Sequence, residues 1–331
     1  MPPTFNDKVR GASRVLGTGR FVPEKVLTNK DLEKMVDTTD EWITTRTGMK
    51  RRHIVAAGEA TSDLAARALR DATGDAGIEL KELDAIIVAT ATPDMAFPSA
   101  ACIVQQKLDL GGLPVFDISA ACSGFIYASV LANSLIASGL FEKIGVVGAE
   151  TLSRITDYED RSTCVLFGDG AGAAIFGPSD GTTGVMAAYL GADGSLSHLL
   201  NQPAGGSRLP ASHETVDKNL HYLHMEGAEV FKSAVRAMES SAVKALELAG
   251  ITADEVDLLI THQANVRIIK ATASRVKIPL ERVYINVHEY GNTSAASIPI
   301  AFDEALENGR ISEGSTVMMV AFGAGFTWGS L

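Results

Sequence analysis

Apolar runs and helical segments alternate along most of the chain. Runs such as AIIVAT (85–90), GVVGA (145–149) and VMMVAF (317–322) lack the strict alternation of apolar and polar residues that marks a half-exposed strand. Such runs are typical of strands that are covered on both faces, and helices between the strands supply the cover. The pattern therefore predicts an α/β protein built of layers.

The chain also resembles itself. Residues 82–94 (ELDAIIVATATPD) and 255–267 (EVDLLITHQANVR) share an acidic–apolar–Asp start, an apolar run and a polar turn. The predicted helices 99–110 and 268–278 follow them, and in both copies a strand, a seam of small residues and a further helix come next. We therefore predict a duplicated unit whose two halves pack as α-β-α-β-α layers about a pseudo-twofold axis.

Candidate side chains lie at matching positions of this repeat. Cys122 and Asn292 occupy the two seams, 292 − 122 = 170 residues apart, and Ala89 matches His262 at 262 − 89 = 173. The offsets agree within a few residues. Because the seams of two such halves meet at the centre of the body, we expect these side chains to come together there.

Length and composition indicate a globular protein of two domains or two fused halves. The 331 residues exceed the ~250–300 at which a single core usually stops growing. Apolar residues make up 46% and charged residues 21%, and no window approaches a membrane span. The first residues show neither a signal-peptide nor a transit-peptide pattern, which favours a cytoplasmic protein. The net charge of −11 disfavours nucleic-acid binding but allows a local basic patch.

The cysteines are the first candidates for chemistry. Cys102, Cys122 and Cys164 are widely spaced and form no C-x-x-C, which argues against disulfides, zinc ribbons and dithiol motifs. Cys102 and Cys164 lie within apolar runs and are interpreted as structural. Cys122 stands in DISAACSGF (117–125), where a helix dipole and first-turn N–H groups favour a thiolate and can hold an oxyanion. A buried structural cysteine is the alternative.

Histidine and asparagine supply further candidates. His262 ends the buried run VDLLIT, and a histidine at the exit of a core strand is a candidate functional group. Asn292 in YGNTSAAS is interpreted as a helix N-cap, as a donor to substrate, or as both. His221 and His224 have helical spacing without further ligands, so we expect no metal site there.

Two glycine-rich segments, 17–21 (GTGRF) and 167–177 (FGDGAGAAIFG), match no phosphate-binding motif. We expect both to be turns, the second of them within a sheet. A G-x-S-x-G sequence is absent, so the nucleophile elbow of the α/β-hydrolases is unsupported.

Together these motifs resemble one family over almost the whole chain, the β-ketoacyl-acyl-carrier-protein synthase III enzymes of the thiolase-like fold. The resemblance rests on eight blocks: GTGRFVPEKVLTN (17–29), TTDEWITTRTGMKRRH (38–53), ATPDMAFPSAA (91–101), DISAACSGF (117–125), FGDGAGAA (167–174), HQANVRII (262–269), YGNTSAAS (290–297) and FGAGFTWGS (322–330). It implies a five-layer α/β fold with pseudo-symmetric halves, residues 1–180 carrying the nucleophile and residues 181–331 carrying its partners.

The resemblance also implies a reaction, a decarboxylating Claisen condensation that starts fatty-acid synthesis. The Cys122 thiolate takes the acetyl group of acetyl-CoA, with the backbone N–H groups of Cys122 and Ala324 as oxyanion donors. Malonyl-acyl carrier protein then loses CO2, and neutral His262 and Asn292 hold the enolate oxygen. No cofactor and no metal are implied, since acetyl-CoA is a substrate.

Binding residues are implied in the same way. Trp42, Arg46, Thr47 and Arg161 match a CoA site, with the adenine between Trp42 and Arg161; Phe231 and Asn265 match the pantetheine channel. Phe97 matches the residue that closes the primer pocket, with ordinary packing as the alternative. Docking of an acidic carrier protein is implied for Gln263, Ala264, Asn265, Val266, Arg267, Lys232 and Lys270. A homodimer is implied as well.

Other activities remain open for the same residues. A related acyltransferase of secondary metabolism would use the triad with another primer or acceptor, and a thioesterase would hydrolyse the acyl group. A non-catalytic CoA- or carrier-binding subunit is the alternative of a different class, but the presence of all three triad residues disfavours it. Hydroxymethylglutaryl-CoA synthase is disfavoured because ATPDMAFP (91–98) contains no glutamate.

Overall fold

Residues 9–331 are described by a computed structural model, in which two five-stranded sheets alternate with layers of helices. The strands are β1 Ser13–Phe21, β2 Val26–Thr28, β3 Arg51–His53, β4 Ala85–Ala89, β5 Val115–Ile118, β6 Ile144–Thr151, β7 Asp169–Pro178, β8 Tyr189–Ala192, β9 Leu200–Asn201, β10 His224–Met225, β11 Leu258–Thr261, β12 Val283–Tyr284, β13 Val317–Gly323 and β14 Thr327–Ser330. The helices are α1 Asn29–Leu32, α2 Asp40–Thr47, α3 Thr61–Asp75, α4 Ala100–Lys107, α5 Gly124–Ala137, α6 Arg161–Cys164, α7 His213–Asp217, α8 Gly227–Ala249, α9 Val266–Val276, α10 Val287–Tyr290 and α11 Ser297–Glu307.

The two large sheets have the same topology. The first runs β5-β4-β6-β7-β1 and the second β12-β11-β13-β14-β8. In each sheet the first three strands are parallel and the last two are antiparallel to their neighbours. All strands of the first sheet lie before residue 179 and all strands of the second begin after residue 188. The predicted pair of pseudo-symmetric halves is therefore confirmed at the level of the fold.

The position of each helix in the layers matches the number of its faces that are apolar. α5 and α11 lie between the sheets and contact strands of both, and α5 is apolar on nearly every side because both of its faces are covered. α3 and α4 cover the outer face of the first sheet, and α8 and α9 cover that of the second. These outer helices bury one stripe and expose the other. None of the helices within residues 9–331 is long and apolar enough to cross a bilayer.

The register of the repeat differs from the prediction at the seams. Each seam is a short 3-10 turn that begins with a residue of positive φ, Ala121 (44°) in the first half and Ser294 (47°) in the second. These positions are 294 − 121 = 173 residues apart, the same offset as Ala89 and His262. Asn292 therefore matches Ser119 instead of Cys122.

Both glycine-rich segments are strands, so their prediction as turns is wrong. Residues 17–21 belong to β1, and residues 169–177 belong to β7. The glycines let a helix lie directly on the strand: a Cβ on Gly172 would stand 2.6 Å from the Ile300 nitrogen of α11. Glycine in a strand often marks such a close approach of another backbone.

A glycine on β6 provides a test of this packing. A Cβ on Gly148 would overlap the carbonyl group of Ala295, so we expect Gly148→Ala to lower the stability by about 2–3 kcal/mol through overpacking. The midpoint of urea unfolding measures the effect. Gly74→Ala in α3 is the matched control, because no atom lies within 4 Å of its added Cβ. An unchanged midpoint for Gly148→Ala would show that the seam moves freely on β6.

Candidate active site

Cys122 lies in the turn between β5 and α5, against a strand of the other half. The turn Ala121–Ser123 leads directly into α5, as the sequence predicts. It rests on the end of β13, where a Cβ on Gly323 would stand only 2.7 Å from the Cys122 nitrogen. The missing side chain at Gly323 therefore lets Ala324, the next residue, lie beside the nucleophile.

One cavity of about 230 Å³ brings the predicted triad together. Cys122, His262 and Asn292 line it, and so do Ala324, Phe231 and Asn265. Its remaining wall is mainly apolar and includes Leu152, Leu166, Met225, Val230, Met238 and Phe322. This is the form of a small-molecule site, an apolar pocket with a few convergent polar groups.

The ionisation of Cys122 differs from the expectation of a thiolate. Burial raises the pKa of the Cys122 thiol to about 12, the Glu150 carboxylate adds to the rise, and the Ser294 hydroxyl opposes it. The N-terminus of α5 also favours the thiolate, but a group withdrawn from water loses more than a helix end returns. At neutral pH the resting side chain is therefore a thiol.

His262 is held as a neutral N–H donor. Burial lowers the pKa of the imidazole to about 3. Nδ1 lies 2.6 Å from the Ser297 Oγ, which itself accepts the Gln263 N–H at 3.3 Å. No carbonyl among residues 9–331 accepts from the Ser297 hydroxyl, so its proton points to Nδ1 and the ring proton resides on Nε2. That N–H faces the cavity, where no group of residues 9–331 binds it.

Asn292 is oriented in a comparable way. Its Oδ1 accepts the Ser294 N–H at 2.9 Å, which leaves the Nδ2 amide group directed to the cavity. Its backbone N–H donates to the Leu166 carbonyl at 2.8 Å and its carbonyl accepts the Gly168 N–H at 3.0 Å. The side chain bonds within its own turn as an N-cap does, and its N–H groups remain available as donors.

Three of the four predicted CoA residues, Trp42, Arg46 and Arg161, lie together on the surface. The Arg46 and Arg161 guanidinium carbons stand 5.0 Å and 5.2 Å from the centre of the Trp42 ring. An adenine stacked between Trp42 and Arg161 needs a separation of about 7 Å between the indole ring and the guanidinium group. It therefore enters only when Arg161 moves away from Trp42. Thr47 is buried and donates its hydroxyl to the Ile43 carbonyl at 2.7 Å, which makes it part of the end of α2.

The predicted docking segment is only partly accessible. Gln263 is 1% exposed, and its amide binds four backbone groups, the carbonyls of Thr261 and Tyr284 and the N–H groups of Asn286 and Val287. It therefore supports the loop and cannot contact a carrier protein, contrary to the prediction. Ala264 and Val266 are half-buried, and Val266 packs against Gly48.

The exposed cations of this region form a patch on α8 and α9. Arg267 stands 5.6 Å from the Phe231 ring at the mouth of the cavity, and Lys270 is exposed one turn further along α9. Lys232 is exposed on α8 and pairs with Glu229 at 2.7 Å. Arg236, one turn after Lys232, is a further exposed cation that the sequence argument missed. Its position on the same face of α8 is the signal that points to it.

Phe97 lies outside the cavity. Its side chain is 84% exposed, and it is not among the residues that line the pocket around Cys122. Within a single chain Phe97 therefore does not close the primer pocket.

Sequence reasoning also missed the residues that hold the triad, Glu150, Ser294 and Ser297. Glu150 is fully buried at the end of β6, and both serines lie in or beside the second seam. A charged residue at the end of the apolar run KIGVVGAE was the available signal for Glu150. Among residues 9–331, no three His, Cys, Asp or Glu side chains are grouped as metal ligands.

The state of His262 is directly measurable. Because its pKa of about 3 lies below the ordinary value of ~6.5, the imidazole stays neutral as the pH falls through that value. We expect the nitrogen chemical shifts of His262 to report the neutral Nε2–H tautomer at both pH 8 and about pH 5. The signals that disappear in His262→Asn are those of His262. In Ser297→Ala the hydrogen bond to Nδ1 is lost, so we expect the ring to remain neutral but no longer to be fixed in one tautomer. A titration near the ordinary value would contradict this assignment.

The comparisons with known proteins agree along the chain. The sequence model described as 3-oxoacyl-[acyl-carrier-protein (ACP)] synthase III matches residues 116–194, and that of its C-terminal part matches residues 246–331. A beta-ketoacyl-[acyl-carrier-protein] synthase III of Caldanaerobacter subterraneus subsp. tengcongensis is 56% identical over 96% of this chain and 96% of its own length. The protein of that name in Clostridioides difficile is 48% identical, with the same two coverages.

Solved structures lead to the same result. The 3-oxoacyl-[acyl-carrier-protein] synthase III of Aquifex aeolicus VF5 superposes with a TM-score of 0.90 at 49% identity, covering 96% of this chain and 98% of that one. The priming beta-ketosynthase of the R1128 polyketide pathway has a TM-score of 0.90 at 34% identity, covering 99% and 97%. The expected thiolase-like fold is confirmed, and the chain belongs to the 3-oxoacyl-[acyl-carrier-protein] synthase III family.

Proposed function

We propose that this chain condenses acetyl-CoA with malonyl-acyl carrier protein, releasing CO2 and CoA and forming acetoacetyl-acyl carrier protein, the step that starts type II fatty-acid synthesis. The observation that carries the proposal is the grouping of one thiol and two neutral N–H donors, Cys122, His262 and Asn292, around one cavity. A thiol of this kind accepts an acyl group, and neutral donors stabilise an enolate.

The first half-reaction takes place at Cys122. The thiolate attacks the thioester carbonyl of acetyl-CoA, CoA leaves, and the acetyl group remains on the sulfur. The backbone N–H groups of Cys122 and Ala324, two residues that line the cavity, serve as donors to the tetrahedral oxyanion.

The second half-reaction needs donors, and it needs no base. Loss of CO2 from the malonyl group leaves an enolate, whose oxygen accepts hydrogen bonds from His262 Nε2–H and Asn292 Nδ2–H. The carbanion carbon then attacks the acetyl carbonyl on Cys122 and the product leaves on its carrier. The neutrality of His262 supports this role, because a neutral imidazole donates its N–H to the enolate oxygen without itself carrying a charge.

The surface around the cavity suits the two carriers of the acyl groups. We place the CoA adenine at Trp42 and Arg161, with Arg46 on a phosphate, and the pantetheine beside Phe231 and Asn265. For the acidic carrier protein we propose the patch of Arg267, Lys270, Lys232 and Arg236 on α8 and α9, which steers one face of the carrier to the mouth of the cavity.

We propose further that two copies pair along β5. This strand is the edge of the first sheet, so one side of its backbone is unpaired, and such an edge readily accepts another strand. Phe97 lies just before α4, whose Ala100 and Ala101 N–H groups donate to Asp117 of β5 at 2.7 and 2.8 Å. Pairing at this edge covers the exposed ring and offers it to the primer pocket of the second copy.

A ketosynthase that primes polyketide chains is the second candidate, favoured by the 34% identity over nearly the full chain. Acyl-CoA primers of increasing length and branching, tested with malonyl-acyl carrier protein as extender, separate the two. We expect acetyl-CoA to be preferred and Phe97→Val to shift the preference toward larger primers. Equal rates for all primers in the wild type would refute the assignment, and hydrolysis without extension would indicate a thioesterase.

The two half-reactions are expected to separate by mutation. Radiolabelled acetyl-CoA should label the wild type stoichiometrically, and Cys122→Ala should abolish the label because the acceptor sulfur is gone. Asn292→Ala should still take the label but decarboxylate malonyl-acyl carrier protein about 10²–10³-fold more slowly, since one enolate donor is lost. An unlabelled wild type would exclude the acyl-enzyme, and loss of labelling in Asn292→Ala would place that residue in the first step.

A further inference from the structure

Glu150 is a buried carboxylate without a positive partner. Its side chain is fully buried near the end of β6, and no Lys, Arg or His side chain among residues 9–331 lies within 4.0 Å of it. Its oxygens accept hydrogen bonds from the Ala91 N–H at 3.1 Å, the Thr92 hydroxyl at 2.6 Å, the Thr90 hydroxyl at 3.3 Å and the Ser294 hydroxyl at 2.9 Å. Burying a carboxylate with neutral donors alone is costly, and a group retained at such a cost calls for a function.

The fold itself does not require this carboxylate. The offset of 173 that relates the two halves places Glu150 opposite Gly323, since 323 − 150 = 173. The strand pairing shows the same offset. Val147 of β6 pairs with Val88 of β4, and the residues 173 positions later, Val320 of β13 and Thr261 of β11, also pair with each other. The second half thus builds the same strand end with glycine, so the glutamate is a difference between the halves.

Glu150 is connected to Cys122 through one hydroxyl group. Gly148 lies two residues earlier on the same face of β6, and its missing side chain lets the turn of Ser294 rest on the strand. This places the Ser294 Oγ 2.9 Å from Glu150 Oε1, and Ser294 lines the same cavity as Cys122. The Ser294 hydroxyl therefore contacts the carboxylate and also acts on the thiol, since it lowers the pKa of Cys122.

The thiol proton has no other acceptor in the triad. His262 directs an N–H to the cavity because its Nδ1 already accepts from Ser297, and Asn292 directs its amide N–H groups there because its Oδ1 accepts from Ser294. Both are donors, so neither takes the proton that Cys122 must lose.

We propose that Glu150 accepts the proton of Cys122 through the hydroxyl of Ser294. The S–H bond breaks as an O–H bond forms on Ser294, and the original Ser294 O–H bond breaks as one forms on Glu150 Oε1. The sulfur keeps the electron pair, so the negative charge moves from the carboxylate to the sulfur and the charge of the site is unchanged. Burial raises the pKa of Glu150, which brings its basicity closer to that of the thiolate.

The relay accounts for the protons of the whole cycle. CoA leaves as a thiolate and takes a proton from solvent, while Glu150 stays protonated beside the acetylated Cys122. The malonyl carboxylate thus enters a site without a second negative charge. When the carbanion releases Cys122 as a thiolate, the proton returns from Glu150 through Ser294, and the sum is one proton consumed per condensation. The CoA, the malonyl group and the carbanion in this cycle rest on the proposed function, whereas the proton transfer from Cys122 to Glu150 does not.

Alkylation of Cys122 by iodoacetamide, followed by mass spectrometry of its peptide, tests the relay without CoA or carrier protein. Transfer within the pair does not depend on pH, so we expect the wild-type rate to be nearly constant between about pH 6 and pH 8. In Glu150→Gln and Ser294→Ala the thiol loses its proton only to solvent, so the rate should rise about tenfold per pH unit. Acetylation at neutral pH should fall roughly 10²-fold in both variants.

Asp169→Asn is the matched control. Asp169 is also a buried carboxylate, on the neighbouring strand β7, but its partners are Val55 and Ser153 instead of a group at Cys122. It should keep the wild-type pH dependence. A wild-type rate that itself rises tenfold per pH unit, or variants with the wild-type profile, would overturn the relay and leave the condensation intact. If Glu150→Gln does not fold, Ser294→Ala decides, because it leaves the carboxylate in place.

Discussion

The active site depends on two places where the backbone of one half lies directly on a strand of the other. The turn of Cys122, from the first half, rests on Gly323 of β13, and the turn of Ser294, from the second half, rests on Gly148 of β6. A side chain at either glycine would push the turn away from the strand. These two contacts bring Cys122, His262 and Asn292 together where the two halves meet, and the surrounding layers hold them there.

The chemistry of the site is set by withdrawal from water together with a few hydroxyl groups. Burial keeps Cys122 protonated and His262 neutral, so the cavity contains hydrogen-bond donors where an exposed site would contain charges. Ser297 fixes the imidazole tautomer, and Ser294 fixes the Asn292 amide and lowers the pKa of the Cys122 thiol. The stretch 294–297 thus orients both the His262 and the Asn292 side chains.

Much of this could be predicted from the sequence, because apolar runs and the internal repeat depend on local composition. The seams carrying Cys122 and Asn292 were identified, but their register was wrong by three residues. The cause is α10, which lies between β12 and the second seam and has no counterpart between β5 and the first. Gln263 looked like a surface residue because its burial follows from the backbone groups around it, which lie on other segments. Glu150 and Ser294 are distant in the chain, so only the folded structure shows their contact.

The division of the site between two halves also sets an order of events during synthesis. Cys122 is translated long before His262, Asn292 and Ala324. The turn of Cys122 rests on β13, which is translated after both His262 and Asn292. A growing chain therefore carries the Cys122 thiol before the residues of the second half that line its cavity, His262, Asn292, Ser294 and Ala324, have been added. On the proposed mechanism, acyl transfer to Cys122 waits until the second half has folded onto the first.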